Sequence, residues 1–520
     1  MGDNMLEKKK KTKTEDIETI PKNCNNPSNK SLVKSMEDNI SLIKNIFKND
    51  ETLIVRRFHN KRLADAKCCV IYLDGMVNSK ILNENIIQPI LRNDLTEDIS
   101  WDELLYKVIV SNNVQMENDI NSIVSRIAYG DTLLLLEKYD KGLVISSKGW
   151  QTRAITEPES ERVIRGPREG FTESIMMNIS LIRRKIRTPD LKIKFKEIGE
   201  RTHTKTCICY IEGIAASNIL RELEKRLDEI DIDGILDSGY IQELIRDAPF
   251  SPFETIGSTE RPDVVAGKLL EGRIALIVDG SPVVLTVPFI GAEMSQSSED
   301  YYNNYIFSSV NRLLRSIAVL TAVTVPAIFV SMVTFHQEIL PTPLLLSISA
   351  SRQGVPFPTV LSMLLMLLVF DLLREAGTRM PAPIGQAINI VGTLVLGQTA
   401  VEAKLVSAPV VIVTALTGIL ILMNTKIIGA VIVFRNIMLL AAAILGIYGV
   451  IFAFILLFLH LMSIRSFGVP YMINITTARY HNGQDAWIRA PWWSMTLRPK
   501  IIAARNLVRQ SGSKNRRNLG

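Results

Sequence analysis

Apolar residues are distributed differently in the two halves of the chain. Between residues 46 and 305 short apolar runs alternate with charged segments, which is the pattern of strands and amphipathic helices. From Arg315 onward the runs lengthen and lose their charges. Ser316–Phe335 holds no charged side chain over about twenty positions, the length that a helix needs to cross a hydrocarbon layer. The pattern predicts an α/β region followed by a polytopic α-helical membrane region.

An internal repeat organises the α/β region. The stretch KCCVIYLDGMVNSKIL (67–82) matches KTCICYIEGIAASNIL (205–220), and further along GDTLLLLE (130–137) matches GRIALIVD (272–279). Each copy has the pattern of an apolar strand, a glycine turn, a helix, an acidic linker, a second helix and a hairpin strand. The repeat predicts two tandem α/β subdomains of similar build, residues 46–160 and 191–305.

Residues 1–45 precede the first copy. They are charged, rich in Asn and almost free of aromatic residues, so we expect them to be disordered. No apolar signal segment follows Met1, and the α/β region is therefore expected to remain in the cytoplasm.

A basic segment, residues 161–190, separates the two copies. Its pattern is a turn at Gly166-Pro167 and then a helix that stops at Pro189. One interpretation is a site for phosphate or lipid headgroups; the other is a solvated helix face braced against acidic residues of a neighbouring chain. The second is favoured, because no phosphate-binding glycine pattern accompanies the arginines. The predicted contacts between chains are Arg162, Arg165, Arg168, Arg183 and Arg184.

The membrane region, residues 306–465, holds runs of two kinds. Those that are expected to cross are about 316–335, 355–371, 405–424 and 437–462. Two others are ambiguous: prolines flank the short run 341–352, and amides interrupt the run 384–401. The charged residues from Asp371 to Arg379 are expected to form a loop that caps the second span.

Basic residues predict the orientation. Arg312 and Arg315 precede the first span, and the tail of residues 466–520 is rich in Lys and Arg with Asp485 as its one acid. The positive-inside rule places the N-terminal region and this tail in the cytoplasm. Four crossings satisfy that orientation, whereas a further crossing by 384–401 requires that another segment cross as well. The tryptophans of the tail fit an interfacial belt, or a tail that packs back under the membrane: Trp487, Trp492 and Trp493.

The amide-bearing run has two unlike faces when it is drawn as a helix. Small and polar residues recur at spacings of three and four on one face, while Ile388, Ile390 and Val391 lie on the other. An unpaired amide in hydrocarbon is costly, so the polar face must meet protein or water. It forms either a seam between packed helices or, in a ring of identical helices, the lining of a polar conduit. The candidate lining residues are Gln386, Asn389, Gly392, Thr393, Leu396, Gln398 and Glu402.

Composition excludes several classes of function. Lys and Arg exceed Asp and Glu by 60 to 53, with the excess near the chain ends, which favours anionic membrane lipid over nucleic acid. The 5 Cys residues lack CxxC spacing, as expected of a reduced cytosolic domain. The 5 His residues are scattered, with no nucleophile or metal-ligand pattern. We therefore expect no enzyme activity, no metal and no cofactor.

Several long motifs resemble the A subunit of the GerA-type germinant receptors of endospore-forming bacteria. They occur in the order expected of that family and cover roughly residues 50–500. The motifs are RVIRGPREGFTESI (162–175), TIGSTERPDVVAGKLLEGRIALIVDGSPVVLTVPFI (255–290), the run PFPTVLSM to AKLVSAP (356–409) and FGVPYM (467–472).

The resemblance implies a multi-pass protein of the spore inner membrane that works with a transporter-like B subunit and a lipoprotein C subunit. In that family small nutrients trigger germination, and A subunits are proposed to form a homo-oligomeric ring that conducts ions. The amide face then becomes the candidate pore lining. One position departs from the family pattern: Leu367 stands where an acidic residue often lies, which leaves Asp371 and Glu375 as the nearest acids. A non-conducting scaffold and a stand-alone A-subunit paralogue remain as alternatives.

Overall fold

The computed structural model describes residues 31–59, 67–92, 109, 113–149, 161–380, 397–473, 485–499, 502 and 506–509. The chain divides into two compact units. The first comprises residues 1–150 and 187–191, and the second comprises residues 151–186 and 192–520. The first unit holds the first α/β copy; the second unit holds the second copy and the apolar helices.

The described strands of the first copy form one antiparallel sheet in the order β1-β2-β4-β5-β3. Its elements are α1 Met36–Ile46, β1 Leu53–His59, β2 Lys67–Leu73, α2 Ser79–Ile81, a π-helical turn Leu82–Ile87, α3 Gln88–Arg92, β3 Val114–Glu117, α4 Ile120–Ala128, β4 Thr132–Leu136 and β5 Gly142–Ile145.

Both faces of this sheet are buried, which explains why β2 has no polar alternation. Cys68 and Val70 pack with Ile86 and its neighbours on one face. Cys69 and Ile71 pack on the other face, with α1 and α4.

The first copy begins earlier than the pattern indicated, and the expectation of disorder up to residue 45 is wrong from residue 31. Ser35 caps α1 by accepting a hydrogen bond from the backbone N–H of Asp38 (3.4 Å), and Met36, Ile40 and Ile43 are buried against the sheet. The charged residues between these apolar positions gave the segment the composition of a disordered tail. Residues 1–30 lie outside the described ranges.

The second copy has the same strand order, β6-β7-β9-β10-β8, as the repeat predicts. Its elements are α5 Ile175–Lys185, β6 Leu191–Ile198, β7 Thr204–Ile211, α6 Ser217–Asp228, α7 Ser238–Ile245, β8 Gly257–Thr259, α8 Pro262–Leu270, β9 Ile274–Val278 and β10 Val284–Val287.

Equivalent hydrogen bonds occur inside both copies. In the first, Asn39 accepts from the N–H of Val33 (2.9 Å) and donates to its carbonyl (2.6 Å). In the second, Asn178 makes the same pair with Thr172 (2.8 and 2.5 Å). Both asparagines start the identical string NISLI. The basic segment 161–190 is therefore not a simple connector, because its helix α5 is the first helix of the second copy.

The apolar helices follow the second copy. They are α9 Tyr305–Thr334, α10 Thr342–Ser351, α11 Thr359–Arg379, α12 Gly397–Glu402, α13 Ala408–Leu422, α14 Ile428–Leu445 and α15 Ile447–Ser463; a short two-stranded pair, β11 Arg465–Ser466 and β12 Val469–Pro470, follows them. In the part of the chain that the structure describes, two helices are long and apolar enough to span a membrane: Tyr305–Thr334 and Thr425–Leu445, the latter being α14 with the 3₁₀ turn before it.

The run 437–462, expected as one span, belongs to two helices that meet at Gly446. This residue has φ +60°, which favours glycine, and a Cβ there would lie within 3.2 Å of Phe335 and His336 at the end of α9. The other end of α14 follows Asn424, whose side chain donates to the carbonyl of Met294 (2.6 Å) near the second copy. Helix α14 therefore runs away from the second copy alongside α9, and α15 returns.

Candidate functional site

The predicted conduit residues fall partly outside the described ranges. Gln386, Asn389, Gly392, Thr393 and Leu396 lie there, and only their position in the sequence can be used. The last two candidates lie on α12, where both side chains are exposed and Gln398 donates a hydrogen bond to Glu402 (2.9 Å). The C-terminal end of the amide-bearing run thus carries an exposed polar pair.

The described flanks of that run lie at opposite ends of a helix pair. Helices α11 and α13 run in the same direction, because Thr414 donates to Met363 Sδ (3.5 Å) and the ring of Phe370 fills the space beside Gly418. Helix α11 ends at Arg379, about 12 Å further along the helix axis than Asp371 and at the end far from Met363. Gly397 instead packs at the opposite end, against Val411 in the first turn of α13.

An ion pair connects α11 with α14 among apolar side chains. Arg435 Nη2 donates to Asp371 Oδ2 (2.6 Å), Arg374 Nη1 lies 3.6 Å from Asp371 Oδ1, and the Arg435 side chain is 2 % exposed. The expectation of a charged capping loop at Asp371 is therefore wrong. The helix continues to Arg379 because the carboxylate has a cationic partner on a neighbouring helix, without which its burial would be unfavourable.

A charged cleft of about 870 Å³ lies within the second unit, where the second copy meets the first turns of the apolar helices. One side is closed by an ion pair between Glu161 and Lys426 (3.0 Å), the residue that precedes Ile427 and α14. Glu161 also accepts from the hydroxyl of Thr259 and from the N–H of Glu260 (3.2 Å). One carboxylate thus joins the segment before α5, the strand β8 and the loop between α13 and α14.

Deeper in the cleft Glu293 lies between two cations. Its carboxylate is 3.0 Å from Lys268 Nζ and accepts a short hydrogen bond from Arg273. Burial alone would raise the pKa of Glu293, but Arg273 and Lys268 bring that pKa below its ordinary value. Burial lowers the pKa of Lys268, and Glu293 opposes that change. The carboxylate is therefore charged at neutral pH and holds the segment 291–295 on the second copy.

The start of α9 is anchored by a second buried cluster. Arg312, fully buried, lies 3.2 Å from Asp300 and 2.8 Å from Asp485 of the tail, and Arg315 makes two hydrogen bonds to Asp300 (2.7 and 2.5 Å). In the tail, Trp493 packs edge-on against Tyr305, with ring centroids 5.5 Å apart. The described part of the tail thus packs back onto the base of α9, one of the two arrangements expected for its tryptophans.

The basic side chains between the copies are not equivalent. Arg162, Arg165 and Arg168 are exposed, as a contact between chains requires. Arg184 is half-buried and lies 3.2 Å from Glu169 of its own chain. Arg183 is completely buried, so it offers no surface to a neighbouring chain and is withdrawn as a candidate. The sequence placed all of them in one basic segment, but the packing of α5 turns Arg183 inward.

Two functional features were missed from the sequence. The predicted apolar run begins after Arg435, although apolar residues flank this arginine on both sides (GAVIVFRNIMLL). A charge inside such a run signals a buried partner. The cleft residues gave no comparable signal, because the segments that supply Glu161, Glu293 and Lys426 are far apart in the sequence.

The chain, with its duplicated α/β units and apolar helices, is similar to proteins of one known family. The sequence profile of the family described as Bacillus/Clostridium GerA spore germination protein matches residues 41–501. Spore germination protein KA of Bacillus subtilis (strain 168) is 40 % identical over 479 residues, 92 % of this chain and 88 % of the relative. The uncharacterized membrane protein YfkQ of the same strain is 38 % identical over 488 residues, 91 % of this chain and 95 % of the relative.

A solved structure also matches, that of the N-terminal domain of the A subunit of the Bacillus megaterium spore germinant receptor GerK3. It is 33 % identical, covers 51 % of this chain and 99 % of that chain, and has a TM-score of 0.39. The family profile and the sequence relatives define a protein of the spore-germination class. The chain belongs to the GerA family of spore germination proteins, which confirms the resemblance carried by its motifs.

Proposed function

We propose that this protein is the A subunit of a nutrient germinant receptor in the spore inner membrane, and that copies of it assemble to form or gate an ion-conducting pathway that triggers germination. Membership of the GerA family carries the germination role. Conduction requires that the amide-bearing run cross the membrane, and the observation that supports a crossing is that its flanks, Arg379 and Gly397, lie at opposite ends of the pair α11 and α13.

The membrane topology that we propose has six crossings. They are α9 from about residue 316, α11, the connection 381–396, α13, α14 and α15. The connection has 16 residues between its described flanks, and as a helix it would extend about 24 Å. The run 437–462 is divided into two helices and so supplies one crossing more than expected. The number of crossings is then even, and the N-terminal region and the tail both remain cytoplasmic.

In this topology the amide face cannot contact acyl chains without loss of hydrogen bonds, and a ring of copies would turn it towards water. A constriction formed by apolar side chains of the lining face, such as Leu396, would be dry in the closed state and wet in the open state. Nutrient binding to a partner subunit shifts this equilibrium through its different affinities for the two states.

The charged cleft would transmit that shift. Glu161 and Lys426 join the α/β region to the start of α14, and Arg435 with Asp371 joins α14 to α11, which leads into the amide-bearing run. The partners proposed are further copies of this chain, a B subunit, a lipoprotein C subunit and membrane lipid.

Ion flux tests this function. The protein and its partner subunits are reconstituted in liposomes, nutrient is added and potassium release is recorded. We expect release that is strongly reduced when Asn389→Leu and Thr393→Leu are combined, and nearly unchanged when Ile388→Leu and Ile390→Leu are combined on the opposite face. No flux, or flux that both pairs leave unchanged, would favour a non-conducting scaffold.

A stand-alone paralogue is the second candidate, since the uncharacterized membrane protein YfkQ, whose name carries no germination role, matches the chain almost as well as protein KA does. Co-purification of B and C subunits from spore membranes supports a receptor, and their absence from the purified assembly supports a paralogue.

A further inference from the structure

A fully exposed phenylalanine lies beside the end of the last apolar helix. Phe250 occupies the third position of the turn Ala248–Ser251, in which the N–H of Ser251 donates to the carbonyl of Ala248 (3.1 Å). Pro249 precedes it and is also exposed, and Phe250 itself is 101 % exposed. A single exposed apolar residue is ordinary on a protein surface, so the exposure of Phe250 gains its meaning from its place beside α15, whose own surface is apolar and exposed.

The turn is held firmly and in a defined place. Ser251 Oγ lies 2.9 Å from His460 Nε2 on α15, and Phe253 stacks on Phe434 of α14 with ring centroids 5.2 Å apart. Arg246 Nη2 donates to the carbonyls of Ser251 (2.5 Å) and Phe253 (3.2 Å). Phe250 therefore cannot fold back onto the second copy without loss of these contacts.

The level of the turn along the helices is that of a membrane interface. His460 lies one turn before the end of α15 at Ser463, and the helix surface above it is apolar and exposed, with Leu456 at 66 % and Leu459 at 58 %. Arg465, exposed just after the helix, lies where basic side chains meet lipid headgroups. Exposed apolar side chains thus lie on α15 and at the tip of the turn that contacts this helix.

We propose that the turn Ala248–Ser251 inserts Phe250 into the headgroup and upper acyl region of the bilayer, and so holds the second α/β copy against the membrane. The occupant of this surface is lipid. An aromatic ring suits this depth, since the apolar ring enters the acyl boundary while the turn backbone stays among the headgroups. The proposal rests on the membrane topology proposed above and not on ion conduction.

Site-directed spin labelling of the full chain in lipid nanodiscs tests the proposal. Cys24 is replaced by Ser, the buried Cys68, Cys69, Cys207 and Cys209 remain, and single nitroxides are attached through Phe250→Cys, Lys225→Cys or Leu456→Cys. Lys225 is an exposed residue of α6 and serves as the water reference; Leu456 serves as the lipid reference. Accessibility to oxygen, which enters lipid, is compared with accessibility to a water-soluble nickel chelate.

We expect the ratio of oxygen to nickel accessibility at position 250 to exceed that at 225 several-fold and to approach that at 456. A ratio at 250 equal to that at 225, with a lipid-like value at 456, would overturn the insertion and leave the topology intact. Low accessibility to both reagents at 250 would also overturn it and would indicate contact with protein, such as a second copy of the chain. A water-like value at 456 would overturn the topology itself.

Discussion

The two α/β copies share a scaffold, but the charges at one pair of equivalent positions differ between them. In the first copy, Arg126 pairs with Asp131 (3.4 Å), and the N–H of Asp131 donates to the Arg126 carbonyl (3.0 Å). In the second copy these places hold Lys268 and Arg273, joined by the same backbone bond (3.2 Å). Two cations replace an ion pair; Glu271 lies 3.6 Å from Arg273, and a second carboxylate must come from outside these positions.

Glu293 supplies that carboxylate, and the segment that carries it leads into α9. The first copy neutralises Arg126 with its own Asp131. The second copy pairs Lys268 and Arg273 with Glu293, which lies on the chain that enters the apolar helices. The difference teaches how a duplicated unit acquires a new role. The backbone stays the same, and one unmet charge creates an attachment point between the α/β fold and the membrane region.

The largest effect is expected from removal of this borrowed carboxylate. Glu293→Gln removes the carboxylate that pairs with Lys268 and leaves the buried Arg273 with Glu271 alone (3.6 Å), which should lower the free energy of unfolding by about 3 kcal/mol. Asp131→Asn in the first copy should cost less, about 1–2 kcal/mol, because the partly exposed Arg126 and Lys148 keep contact with water. Thermal unfolding of the full chain in detergent measures both. Equal losses would contradict the asymmetry, and addition of Lys268→Met to Glu293→Gln should restore part of the loss.

The shared scaffold predicts matched effects. Asn39→Ala and Asn178→Ala each remove a side chain that bonds both backbone groups of one residue, Val33 or Thr172, and each should cost about 1–3 kcal/mol. Hydrogen exchange followed by mass spectrometry can assign the loss to one copy or the other. A clear loss in only one of the two copies would show that the equivalence does not extend to energetics.

A smaller, pH-dependent effect is specific to the cleft. Burial alone would raise the pKa of Glu161. Lys426 and the hydroxyl of Thr259 lower this pKa by more than burial raises it, so the folded-state pKa lies below the ordinary value of 4.5. The stabilisation is therefore complete above about pH 4.5 and is lost as the pH falls through the lowered pKa.

The partly exposed Lys426 limits the contribution of this pair to about 1 kcal/mol or less. Glu161→Gln should remove the corresponding part of the acid dependence of the unfolding midpoint. An unchanged profile would exclude Glu161 as the group that titrates.

The smallest effect on folding is expected at the exposed arginines. Combined Arg165→Ala and Arg168→Ala should leave the unfolding midpoint nearly unchanged, because both side chains are exposed. If they contact a neighbouring chain, the assembly should become smaller on native gels. Lys225→Ala, an exposed charge on α6, serves as the control, and an unchanged assembly would refute the contact.

The duplication of the α/β unit could be predicted from the sequence, because equivalent strands of the two copies have similar apolar runs. The runs CCVIYL and CICYI are buried on both faces and identified the repeat directly. Composition alone does not predict helix α1, because the charged residues of MEDNISLIKNI outweigh its apolar positions. The string NISLI, which α1 shares with α5, is the signal that identifies this helix.

Charged side chains account for most of what could not be predicted. Whether Arg183 turns inward, whether Arg435 meets Asp371 and which acid neutralises Lys268 are decided by contacts between segments far apart in the chain. A local pattern gives the face of a helix but not the partner that this face meets.

Substituted-cysteine accessibility during ion flux tests the central claim most directly. Burial raises the pKa of Cys68 and of Cys69 to about 12, so these thiols react slowly, and Cys24→Ser removes the one cysteine that lies outside the described residues. In reconstituted receptor, a water-soluble thiol reagent should block nutrient-triggered potassium flux at Gln386→Cys, Asn389→Cys and Thr393→Cys, and not at Ile388→Cys or Ile390→Cys. Flux that persists at all five positions, or block at the apolar pair alone, would contradict the account.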